Sequence, residues 1–117
     1  MDFYAARAIT KHCYLTLARV NGEIDAELKA YRTLQNGQEL QEVIVQERYL
    51  GVIDKWLNYI DKALEEADRG EFQQVHWAEH ATVKIVERYN QETSYPLEEN
   101  LYGDVYDPEP QFPKSHE

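Results

Sequence analysis

Serine occurs only twice in this 117-residue chain, at positions 94 and 115, and cysteine once, at position 13. A serine-based catalytic triad therefore has no framework, and no intramolecular disulfide can form. Such cysteine usage points to a reducing cytoplasm. No apolar run approaches the roughly 18 residues that a membrane-spanning helix needs. The opening stretch MDFYAARAITKHCYL is charged and amphipathic, with no separate apolar core or small-residue cleavage site, so no signal peptide is expected. There is no glycine-rich phosphate loop and no paired-cysteine metal motif. Proline is absent before Pro96, and no stretch up to there alternates apolar and polar residues as a half-buried strand does.

Basic residues are also scarce. The chain has 12 Lys and Arg against 22 Asp and Glu, a net charge of −10. Residues 1–90 hold 15 acidic and 11 basic side chains, a balance of −4, whereas residues 91–117 hold 7 acidic side chains and one lysine, a balance of −6. More than half of the excess charge thus falls in the last quarter of the chain. Nucleic acids and anionic lipids attract Lys and Arg, so direct binding to either is not expected. A protein partner with a basic or apolar surface is the electrostatic match.

What the chain does contain is helical periodicity. Asp2 is placed to cap a first helix, and Phe3, Ala6, Thr10, Cys13, Leu17 and Val20 recur at spacings of three and four. Asn21-Gly22 reads as a C-cap, although Ile24, Leu28, Tyr31 and Leu34 carry the stripe on almost in phase. A single longer helix would cost about 1 kcal/mol at the glycine. Asn36-Gly37 closes this region. A long central helix is expected from about residue 38 to 68, with Leu50, Ile53, Leu57, Ile60 and Leu64 in one row and Tyr49, Val52, Trp56, Tyr59 and Ala63 beside it. Two adjacent rows make a wide apolar face that touches more than one neighbour, and a homodimer would help to cover it. Gly51 between them would suit a kink or a close crossing. Arg69-Gly70 ends this helix, and a last one is expected over 71–90 on Phe72, Val75, Ala78, Thr82, Ile85, Val86 and Tyr89. The expected fold is all-α, a small bundle of three or four helices in residues 1–91.

The remainder, 92–117, is a tail of different character. It carries all four prolines, at 96, 108, 110 and 113, which exclude a continuing helix and favour extended chain. Tyr95, Leu97, Leu101, Tyr102, Val105, Tyr106 and Phe112 interleave there with acidic residues. Plain solvating segments are poor in aromatics, so these seven are the candidate partner-binding residues. The same anchors would equally let the tail fold back over the wide face of residues 49–64.

Three short stretches resemble known motifs. HWAEH at 76–80 resembles the inverted zinc-protease signature His-x-x-Glu-His, which would place His76 and His80 one turn apart on a helix to share a metal, with Glu79 beside them. In those proteases a third ligand comes from well downstream. Here the only later His or Cys is His116, and 37 residues follow His80, most of them in the tail. Histidines flanking a buried stripe, with a solvated Glu79, are the preferred expectation. Arg7 and His12 form R-x4-H, similar to the motif of the helical HEPN ribonucleases, but the motif opens this chain whereas it lies late in that family's domain. ALEEADRGEFQQVHWAE (63–79) looks like the C-terminal part of ParD-type antitoxins, where a helix ends in a similar acidic turn. No N-terminal strand of a ribbon-helix-helix domain accompanies it.

These features lead to the expectation of a non-enzymatic, acidic, cytoplasmic regulator or inhibitor of the antitoxin, immunity or phage-inhibitor type. It would act through protein–protein contacts, with no catalytic residue, metal or cofactor. The alternatives are a nucleic-acid mimic that blocks a DNA-binding protein, or a metal-binding helical protein that uses His76 and His80.

Overall fold

Asp2 starts the first helix in the way its position suggests. Its Oδ1 accepts a hydrogen bond from the Ala5 N–H at 2.8 Å, and its carbonyl accepts one from Ala6 at 3.0 Å. In the computed structural model, which describes residues 1–34, 41–94 and 105–110, three helices follow: α1 (Phe3–Leu34), α2 (Gln41–Asp68) and α3 (Gln73–Ser94). The fold is a small all-α bundle. At 1.5 Å per residue the 32 residues of α1 span roughly 48 Å, close to the 52 Å long axis of a body only 24 Å across.

Asn21-Gly22 does not end a helix, because α1 runs through it. Beyond the glycine, Ile24 and Leu28 are buried in the core. Burying each contributes about 1.5–3 kcal/mol, which outweighs the roughly 1 kcal/mol that an internal glycine costs. Asn21 also donates to Asp54 Oδ1 on α2 at 2.9 Å. Gly51 marks no close crossing either. A Cβ built at Gly22 or at Gly51 meets nothing within 4 Å, and both positions are exposed.

The helices run up, down and up. Gln46 bonds to Glu27, Asn21 to Asp54, and residues near Thr10 face Ile60, so α1 and α2 are antiparallel. Tyr49 reaches Glu92 whereas Ala63 and Ala67 pack on Val75, so α2 and α3 are antiparallel too. Gln46 ties the three together, donating from Nε2 to Glu27 and, at 3.3 Å, to the Tyr89 hydroxyl.

The two rows of α2 share the interior unequally. All of Tyr49, Val52, Trp56, Tyr59 and Ala63 are buried, whereas Leu50, Leu57 and Leu64 are only half-buried. At one end the core narrows to Ala6, Ala63, Ala67 and Val75, capped by Phe3 and Phe72. The turn from α2 to α3 is a Schellman motif. The Glu71 N–H bonds back to the Glu66 carbonyl and the Gly70 N–H to Ala67, both at 3.0 Å. Gly70 adopts φ +85°, a left-handed conformation that glycine takes without a Cβ penalty. No helix is long and apolar enough to cross a membrane among the described residues.

Candidate functional site

Val105–Pro110 reads VYDPEP, an acidic residue before each of two prolines. Proline restricts the residue before it to extended backbone, and in extended chain residues two apart point the same way. Asp107 and Glu109 therefore face one side together. That side meets Lys55 of α2, whose Nζ contacts both Asp107 Oδ1 and, at 3.0 Å, Glu109 Oε1. This six-residue segment, here termed the strap, folds back onto the bundle along α2 and α3.

Three further contacts hold it. The Trp56 indole N–H donates to the Pro108 carbonyl at 2.9 Å. The Tyr106 N–H donates to the Tyr49 hydroxyl at 3.2 Å, and that hydroxyl in turn donates to Glu92 Oε2. Arg88 pairs with the other carboxylate oxygen of Glu92 at 3.0 Å, and its guanidinium lies 5.5 Å from the centroid of the Tyr106 ring. Tyr49, Glu92, Arg88 and Tyr106 thus form a ring of contacts that joins both helices to the strap. Val105 and Tyr106 pack against the main core cluster and are half-buried. Buried Tyr and Trp need partners for their polar tips, and here the strap's backbone supplies them.

Electrostatics follow the geometry. Burial, then the hydrogen bond and charge of Glu92, push the Tyr49 phenol well above its ordinary value. Burial draws the Lys55 ammonium down, but the hydrogen bonds and charges of Asp107 and Glu109 more than reverse this, so its pKa stands above the usual lysine value. The Lys55, Asp107 and Glu109 side chains are 30%, 50% and 79% exposed, which places these ion pairs in the surface class worth about 0–1 kcal/mol. Each neutral hydrogen bond to the strap contributes about 1 kcal/mol. Glu109 and Pro110 line a cleft of about 290 Å³ together with Lys55, Asn58, Tyr59 and Lys62.

Of the seven tail residues singled out from the sequence, the strap contains Val105 and Tyr106. Tyr95, Leu97, Leu101, Tyr102 and Phe112 lie outside the described residues. Of the two arrangements open to the tail in the sequence, Val105–Pro110 takes the fold-back onto the face of residues 49–64, but the individual receiving groups were not legible. Lys55, Arg88 and Glu92 carried no motif, and Tyr49 and Trp56 read only as core. The available signal was complementarity, a lysine beside Trp56 facing an acid-proline-acid tail.

The other candidates do not converge on a site. His76, Glu79 and His80 are exposed on α3, and among the described residues no three His, Cys, Asp or Glu side chains gather where a metal could sit. Arg7 and His12 are both exposed, and five residues of helix turn them about 140° apart. Arg7 instead lines a cleft of about 240 Å³ between α1 and α2, with Lys11, Tyr14 and Leu64. Cys13 is buried, and burial pushes its thiol up, away from the reactive thiolate. Residues 63–79 form the α2–α3 corner. Comparison with family models, with curated proteins and with solved structures finds no match to this chain.

Proposed function

We propose that the protein is a non-enzymatic, acidic binding protein, a regulator or inhibitor of the antitoxin, immunity or phage-inhibitor type, working in the cytoplasm through its C-terminal tail. The observation that supports this reading is how the strap engages a basic and aromatic surface. A lysine collects two carboxylates, an indole reads a backbone carbonyl, and an arginine lies over a tyrosine. A partner that presents a lysine or arginine beside an aromatic would meet the same chemistry in the tail, with Tyr95, Leu97, Leu101, Tyr102 and Phe112 as further anchors.

The reading includes a homodimer. Tyr14 and Leu15 are exposed on α1, and Leu57 and Leu64 stay half-exposed on the neighbouring edge of α2. A second copy would cover these residues, and Leu15→Glu would then shift sedimentation toward the monomer.

The test of the tail is affinity capture from a lysate, comparing the full chain with a chain ending at residue 92, at low and high salt. A partner held by the full chain and lost by the truncation supports the reading. Retention by the truncation moves the site to the helices. Steep loss with salt would then favour mimicry of a nucleic acid, which pure charge contacts produce.

A further inference from the structure

The strap is a bound peptide whose contacts can be read from the side of the groove. We propose that the groove between α2 and α3 is a recognition site for an extended, acidic, proline-containing peptide segment of a partner protein, and that the chain's own strap is its resident competitor. This inference stands on the docked strap alone and does not depend on the tail's own partner.

Each element of the groove reads a general feature of such a peptide. Trp56 donates to a main-chain carbonyl, and the Tyr49 hydroxyl accepts from a main-chain N–H. These two contacts demand extended backbone and no particular side chain. Specificity comes from the others. Lys55 bridges carboxylates two residues apart, and Arg88 lies over an aromatic ring. The pattern is aromatic, acid, proline, acid. Backbone bonds for affinity and spaced side-chain contacts for selection are the usual division in peptide grooves.

The strap is placed to exchange. Ten residues, 95–104, separate it from the end of α3. A connection of this length holds the strap at an effective concentration on the order of millimolar, which an external segment with more contacts can overcome. The strap's own acids are at least half-exposed, so its ion pairs are of the weak surface kind.

The experiment uses the full chain and a synthetic peptide of sequence LYGDVYDPEPQF. Binding is read from the indole N–H resonance of Trp56, with a scrambled peptide as control. Three full-length proteins are compared: wild type, a strap-weakened Tyr106→Ala/Asp107→Ala variant, and the same variant carrying Lys55→Glu. The expected result is binding to the strap-weakened protein at least tenfold tighter than to wild type, with the Trp56 resonance shifting, and loss of binding when Lys55→Glu is added. Circular dichroism confirms that each variant stays helical. Equal affinity for wild type and the strap-weakened protein would overturn the proposal, as would absence of binding to a helical strap-weakened protein. A wild type that dimerises with rising concentration, and loses this with the strap substitutions, would reassign the groove to a second copy and overturn the partner assignment.

Discussion

Gly22 and Gly51 each sit inside a long helix, exposed, with open space where a Cβ would be. An internal glycine costs about 1 kcal/mol relative to alanine through the backbone freedom lost on folding. Neither position recovers that cost by letting another backbone approach. Alanine at each should therefore stabilise the fold by about 1 kcal/mol. The two sites lie on different helices with no shared partner, so the gains should add to about 2 kcal/mol. For a domain near this size each kcal/mol moves Tm by on the order of 4–8 °C. Gly70 is the internal control. It too has open space around it, but its φ of +85° is one that L side chains rarely adopt, so Gly70→Ala should destabilise by about 1 kcal/mol. Urea denaturation followed by circular dichroism measures all three, and the slope with denaturant should stay constant. A lower midpoint for Gly22→Ala or Gly51→Ala would refute the reasoning, and would place another helix against that glycine in solution.

Three other outcomes follow from the placement of single side chains. Burial lifts the Tyr59 phenol to about 12, and burial with Glu92 lifts Tyr49 further, so the folded state holds both protons more tightly than the unfolded chain. Their contribution is complete below pH 10 and is lost as pH rises toward and past 12. Lys55 acts in the same direction above its ordinary value. Stability should fall above pH 10, and Tyr59→Phe should flatten that fall in pH-dependent denaturation; an unchanged slope would contradict it. Cys13 should ignore a thiol reagent in native buffer and react once urea unfolds the chain, and rapid native labelling would count against its burial. Zinc titrated in a calorimeter should give no saturable heat through His76 and His80, whereas a heat abolished by His80→Ala would revive the metal reading.

The fold was largely legible because helical periodicity is a local property. The stripe from Ala6 to Val20, the paired rows on α2 and the stop at Gly70 all appear in the sequence and in the structure. Asn21-Gly22 misled because a dipeptide signals only local preference, whereas the burial of Ile24 and Leu28 decides the outcome from across the bundle. The docked strap was harder to read for the same reason. Nothing near Lys55 in sequence marks it as the partner of Asp107, 52 residues away. The tail's alternation of acids with apolar anchors announced a docking segment, but two arrangements satisfied it equally. Only the contacts of Trp56, Tyr49 and Arg88 show Val105–Pro110 on α2 and α3.

Amide hydrogen exchange at Tyr106 is the most direct measurement of that docking. Its N–H is bonded to the Tyr49 hydroxyl and to nothing in a helix or sheet, so protection at this one amide reports the strap alone. The docked strap predicts slowed exchange in the wild type and faster exchange in Tyr49→Phe, with the core amides of α2 protected in both. A Tyr106 amide that exchanges in the wild-type protein as fast as in an unstructured peptide would contradict it.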